Sequence, residues 1–176
     1  MKLTRSVALV GMMGAGKSSI GRRLATRLGV PFKDADSEIE HAAGCTVAEI
    51  FERYGEPAFR DGERKVIARL LTEPPMIIAT GGGAYMDAST RDKLKVGAVT
   101  IWLRAPVDVL LARTARRDNR PLLKAGDPRA TLERLMGERG PTYALADHTL
   151  DSQDEPHTAT VERIVALLGE DGALAA

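Results

Sequence analysis

Eight consecutive residues, Gly11-Met12-Met13-Gly14-Ala15-Gly16-Lys17-Ser18, constrain this chain more than any other stretch of it. They complete the pattern G-x-x-x-x-G-K-[ST], and their setting gives the pattern its weight. An apolar run, Val7 to Val10, precedes them, and a helical pattern from Lys17 to Leu28, closed by Gly29 and Pro31, follows. Glycines at 11, 14 and 16 permit positive φ and close backbone approach, so successive N–H groups from Gly14 to Ser19 can converge on an anion at the positive end of the following helix. Lys17 adds a point charge suited to the β- and γ-phosphates, and Ser18 a hydroxyl suited to Mg²⁺. Met12 and Met13 are spacers whose side chains are free to pack. The reading is a nucleoside triphosphate cradle, against the plainer one of a glycine-rich strand-to-helix turn.

The rest of the chain fits an α/β architecture around that cradle. Further strand-length apolar runs occur at Met76 to Ala79 and Ala98 to Leu103, each followed by turn residues and a helical pattern. Such alternation implies a parallel sheet covered by helices. Thr46 and Glu49 form a capping box opening a helix over Val47 to Tyr54; Pro106 starts one running through Arg117, and Val161 to Leu168 repeats apolar residues at helical spacing. Between Arg116 and Arg129 periodicity fails, which reads as a long polar loop of the kind that carries function. At 176 residues and 44% hydrophobic content, one domain over 1–170 is expected, with a Gly/Ala-rich tail at 171–176 that frays.

Composition excludes several alternatives. Twenty-five basic against twenty-four acidic residues give a net charge of +1, so phosphate recognition must be local, and 4% aromatic content leaves few platforms for stacking bases. Cys45 has no partner for an intramolecular disulfide, and His41, His148 and His157 are too scattered in sequence to suggest a metal cluster. Val7 to Val10 is too short for a signal core or a membrane span. No nucleic-acid or membrane partner is expected, and the location expected is cytoplasmic.

What receives a phosphoryl group must be read elsewhere. Asp34 and Asp36 stand two apart, so an extended segment would aim both carboxylates to one side, one toward Mg²⁺ and its water shell and one toward a substrate hydroxyl. The alternative is a helix N-cap pair, because Asp36 precedes Ser37-Glu38-Ile39. Gly81, Gly82 and Gly83 follow the strand Met76 to Ala79 directly, and so remove every side chain where open α/β sheets bind ligands. Arg60, Arg120 and Arg139 offer planar forks for a carboxylate or phosphate, although a single arginine is most often a solvated surface residue.

Taken in order, Gly11 to Ser18, Asp34-x-Asp36, Phe59-Arg60, Ile78 to Gly83, Arg120-Pro121-Leu122-Leu123 and Arg139-Gly140-Pro141-x-Tyr143 resemble the shikimate kinases, small P-loop kinases of aromatic amino-acid biosynthesis, from Leu9 to about Leu168. The resemblance implies a three-layer α/β/α sandwich around a five-stranded parallel sheet, a substrate-binding segment at about 34–62, and a mobile lid at about 115–127. It implies that ATP phosphorylates the 3-hydroxyl of shikimate, with Mg²⁺ as cofactor, in a monomer. By the same resemblance, Asp36, Arg60, Arg139 and the glycines 81–83 contact shikimate, Asp34 supports Mg²⁺ beside Ser18, Arg120 closes over the phosphates, and Arg113 and Pro156 flank adenine. The adenine stretch Leu150 to Pro156 matches the family pattern loosely and is one residue shorter than in some members.

Rival readings are a gluconate or nucleoside-monophosphate kinase, which the Asp pair, the glycine triplet and the Arg-Pro-Leu-Leu segment oppose, and a catalytically silent nucleotide-binding regulator, which retention of Lys17, Asp36 and Arg120 opposes.

Overall fold

The computed structural model describes residues 1–116, 126–152 and 155–175. Five strands form one parallel sheet: β2 (Ser6–Val10), β3 (Phe32–Asp34), β4 (Ile77–Ala79), β5 (Ala98–Arg104) and β6 (His148–Asp151), in the order β3-β4-β2-β5-β6. β2 is central and fully buried, with Ala8 opposite Ile78 on one side and Thr100 on the other. Its unbroken apolar run is what a parallel strand covered on both faces requires.

Helices sandwich the sheet. α1 (Lys17–Leu28) buries Ile20, Gly21, Leu24, Ala25 and Leu28 and meets α7 (His157–Glu170), whose Val161, Ile164, Val165 and Leu168 face the same core. Each fully buried Leu or Ile contributes roughly 1.5–3 kcal/mol over its exposed state. α2 (Ala35–Ala43) packs on α3 (Val47–Leu70), around a second cluster of Ile39, Ile50, Phe59, Val66, Leu70, Met76 and Ile78. α4 (Ala88–Gly97) lies on β5, while α5 (Val107–Thr114) packs against α6 (Pro128–Tyr143).

Local signals govern several boundaries. α1 ends where Gly29 adopts φ 66° and its N–H caps the last turn. The Thr46–Glu49 capping box is present, and α3 breaks at Gly55 (φ 83°, ψ 171°) before resuming through Pro57, so Val47 to Tyr54 is a helical unit of its own. Two expectations need correcting. Asp34 and Asp36 do not share one extended segment: Asp34 ends β3 and caps α2, accepting from the amides of Asp36 and Ser37, while Asp36 lies in the helix's first turn. The tail carries β7 (Leu174–Ala175), which pairs antiparallel with β1 (Lys2–Leu3), so it is tied down where fraying was expected. Residues 128–143 are helical despite Gly137, Gly140 and Pro141, because Leu132, Leu135, Arg139 and Tyr143 bury one stripe at helical spacing.

Candidate active site

The cradle sits where β2 hands the chain to α1. Gly11 has φ 140°, and a β-carbon there would lie 2.7 Å from Leu103 O on β5. A β-carbon at Gly14 would meet Thr114 Cγ2 at 2.9 Å, so α5 closes down on the loop only because that position is bare. Met12, Met13 and Ala15 are buried, as spacers that pack should be. Gly16 caps α1 in left-handed conformation without a side-chain bond, which leaves the first amides of the helix facing outward. Lys17 Nζ donates to Gly11 O at 2.7 Å and Met12 O at 2.8 Å, so the ammonium is held across the mouth of the loop. Arg113, in the last turn of α5, donates to Gly14 O at 3.3 Å, and Arg23 donates to Ser19 O at 3.1 Å.

Arg23 and Arg113 also lie near His157, just after Pro156, the N-cap of α7. Burial first, and then those two cations, hold the His157 imidazole below its ordinary pKa. The rim of the cradle is thus cationic, as a polyphosphate site needs.

Ser18 and Asp34 meet beside this loop. Ser18 Oγ donates to Asp34 Oδ2 at 2.5 Å, while Asp34 Oδ1 is spent on the α2 cap. One hydroxyl and one carboxylate form a sparse, hard oxygen set, which suits Mg²⁺ when nucleotide phosphates complete its shell. Among the described residues, no group of three or more His, Cys, Asp and Glu gathers elsewhere as a metal site.

The glycine triplet forms the opposite wall. It follows β4 and leads into a short 3₁₀ helix, Ala84–Met86. Each of its three positions is filled from outside. A β-carbon at Gly81 would lie 2.9 Å from both Asp36 Oδ1 and Glu63 Oε2; one at Gly82 would lie 3.2 Å from Arg139 Nη1 and 3.6 Å from the amide of Met13; one at Gly83 would lie 2.5 Å from Arg60 Nη2. The triplet therefore lets charged groups from α2, α3 and α6 reach one spot beside the phosphate loop.

Two residues there were given no role by the sequence reading, although Tyr143 stands in the motif after Arg139. Glu63, 3% exposed, accepts from Arg60 Nη1 at 2.8 Å. Burial pushes its carboxyl above the ordinary glutamate range, even though Arg60 pulls the other way. Burial also works against the Arg60 charge, but Glu63 and Glu56 outweigh it and leave that guanidinium raised. Tyr143 donates its hydroxyl to Gly82 O, and burial raises its pKa. Helical spacing was the available signal, since Glu63 stands three residues after Arg60 and Tyr143 four after Arg139. Glu63 Oε2 and Arg139 Nη1 are buried without a hydrogen-bond partner among the described residues, as groups awaiting a polar ligand would be.

The structure thus brings Gly14, Ala15, Gly16, Lys17, Ser18, Ser19, Asp34, Asp36, Arg60, Gly81, Gly82, Gly83 and Arg139 to one end of the sheet, with Arg113 and Pro156 at the rim of the glycine-rich loop. Arg120 and most of the segment 115–127 lie outside the described residues.

A family model described as shikimate kinase matches residues 13–169, and so takes in both walls of the site. The chain belongs to the shikimate kinase family. A shikimate kinase of Rhodopseudomonas palustris is 56% identical over 164 residues, covering 93% of this chain and 81% of that protein. One of Paramagnetospirillum magneticum is 54% identical over the same length, covering 93% and 84%. Among solved structures, the shikimate kinase from Acinetobacter baumannii in complex with shikimate superposes with a TM-score of 0.91 at 38% identity, covering 95% of this chain and 94% of that one. Membership makes the chain an ATP-dependent phosphotransferase acting on an alcohol group, on a P-loop kinase fold.

Proposed function

We infer that this enzyme transfers the γ-phosphoryl group of ATP to the 3-hydroxyl of shikimate, giving ADP and shikimate 3-phosphate. The observation that carries the acceptor side is the convergence of Arg60, Arg139 and Asp36 on a glycine triplet whose middle member adjoins the phosphate loop. Two guanidinium forks answer a carboxylate, and a carboxylate answers ring hydroxyls. An acceptor held there lies beside the phosphates, and proximity supplies most of what this reaction needs.

The residues divide the work as follows. The amides from Gly14 to Ser19 bind the polyphosphate, and Lys17 exchanges its two carbonyl partners for phosphate oxygens. Arg60 and Arg139 hold the shikimate carboxylate; Glu63 orients Arg60; the glycines 81–83 keep the floor clear. Asp36 orients the 3-hydroxyl and accepts its proton late, as that oxygen bonds to the γ-phosphorus and the bond to the β-bridging oxygen breaks. Ser18 and Asp34 would hold Mg²⁺, which when bound neutralises charge on the phosphates. Arg113 and Pro156 flank the adenine, and Arg120, assigned by the family resemblance, neutralises charge on the transferred group. No helix among the described residues is long and apolar enough to cross a membrane. We place the enzyme in the cytoplasm as a monomer, without nucleic-acid partners.

The deciding experiment measures ADP release from MgATP with shikimate, gluconate or AMP. Strong stimulation by shikimate alone is expected. Stimulation by another acceptor would displace shikimate, and nucleotide binding without turnover would make the chain a silent regulator.

A further inference from the structure

Three glycines in a row offer no side chain to anchor their own backbone, so the turn over Gly81 to Gly83 must be held through its peptide groups. Two of its three carbonyls are taken locally: Gly81 O accepts from the amide of Ala84 at 3.2 Å, and Gly83 O from that of Met86 at 3.1 Å. The carbonyl between them is taken by a different helix. Gly82 O accepts the hydroxyl of Tyr143, the last residue of α6.

Tyr143 is 1% exposed, so its hydroxyl is costly unless its bond is made, and a phenylalanine would fill the same space without that demand. Its ring lies against Trp102 of β5, with centroids 5.7 Å apart, and Trp102 Cδ1 lies 3.3 Å from where a β-carbon on Gly11 would stand. Ring and hydroxyl thus serve different neighbours. The ring backs the start of the phosphate loop, and the hydroxyl holds the glycine turn.

The peptide that the hydroxyl holds lies between the two arginines of the acceptor wall. One planar unit joins the Gly82 carbonyl to the Gly83 amide, so fixing Gly82 O orients both. On the Gly82 side, Arg139 Nη1 lies 3.2 Å from the β-carbon position; on the Gly83 side, Arg60 Nη2 lies 2.5 Å from it. Arg139 also stands one turn before Tyr143 on α6, so the same bond sets the separation between that guanidinium's helix and the turn it faces. At these clearances a small rotation of the peptide moves the side chains packed on it, because close-packed groups transmit displacement.

We propose that Tyr143 is a positioning residue for the acceptor: its hydroxyl fixes the Gly82–Gly83 peptide against α6, and so sets where Arg139 and Arg60 present their guanidinium groups. The ring contact with Trp102 survives loss of the hydroxyl, so the bond tunes acceptor affinity and not ATP affinity. The inference rests on shikimate being the acceptor.

The test uses the full chain with Tyr143→Phe. Shikimate affinity is measured calorimetrically without nucleotide, beside KM for both substrates, kcat and Tm. Emission from Trp102, the chain's single tryptophan, reports on the ring contact. Loss of one neutral hydrogen bond predicts that Tyr143→Phe weakens shikimate binding and raises its KM by about three- to tenfold, with kcat and the KM for ATP held within about twofold. In an Arg139→Lys background the same change lowers kcat/KM for shikimate by a smaller factor than in wild type, because one of the groups it places is gone. Unchanged shikimate affinity in Tyr143→Phe overturns the proposal, as do equal losses in the two backgrounds. A parallel loss for both substrates, with Trp102 emission shifted or Tm lowered, assigns the effect to packing and overturns it as well. Wild-type protein that fails to bind shikimate removes the functional reading itself, a result seen before any variant is made.

Discussion

The guanidinium of Arg60 occupies the space that a side chain at position 83 would need: a β-carbon on Gly83 would lie 2.5 Å from Nη2 and 2.7 Å from Nη1. A residue on α3 and one after β4, 23 positions apart, therefore form one functional unit. Gly83→Ala is expected to displace Arg60 without unfolding the protein, because what must move is the far end of a flexible side chain. Losing a charged hydrogen bond is worth about 1.5–3 kcal/mol, so the KM for shikimate should rise about ten- to hundredfold. Steady-state kinetics with each substrate varied gives the answer. An equal rise for ATP, or none for shikimate, contradicts the pairing.

The Ser18–Asp34 contact predicts a metal phenotype that can be separated from folding. Asparagine caps helices as well as aspartate does, so Asp34→Asn should keep α2 intact while removing a negative oxygen beside Ser18. The Mg²⁺ concentration for half-maximal activity should rise severalfold, with Tm nearly unchanged. A Tm loss with an unaltered Mg²⁺ requirement would make Asp34 a cap and nothing more.

Glu63 gives a pH dependence whose sign follows from its environment. Burial raises its carboxyl above the ordinary 4.5, so over the window from there to the raised value the folded chain keeps a proton that the unfolded chain has lost. Stability from this group is greatest below that window and falls as pH rises through it. Glu63→Gln has no such proton. The Tm difference between wild type and variant should therefore shift in the variant's favour as pH increases; parallel curves would show that Glu63 titrates normally.

The capping box at Thr46 and Glu49 serves as a structural control. Thr46→Ala should cost about 1 kcal/mol, or a Tm decrease of about 2–4 °C for a chain of this size. Because Gly55 breaks α3 before Arg60, the change should leave both KM values alone. A raised shikimate KM would mean that strain at the cap passes through the break.

The parts of this protein that could be read directly are those decided by neighbours in the chain. Gly14, Gly16 and Lys17 specify a phosphate loop wherever a strand meets a helix, Gly29 stops α1 through its own φ, and Thr46 and Glu49 cap a helix within one turn. The family motifs likewise named both walls of the site, although not the distances between them.

Other features were decided by burial, which depends on residues far along the chain. β6 reads His-Thr-Leu-Asp and buries only Leu150, so its identity as a strand comes from pairing with β5. α6 runs through two glycines and a proline because its buried stripe, interrupted by Arg139, outweighs poor propensity. Glu63 looks like one more charge on an amphipathic helix; only the meeting of α3, α2 and the glycine turn encloses it and lifts its pKa. The sequence by itself determined which chemistry this chain carries, since backbone conformation and capping are local. Tertiary structure alone decided which charged groups share the acceptor pocket, since desolvation exists only once distant segments pack together.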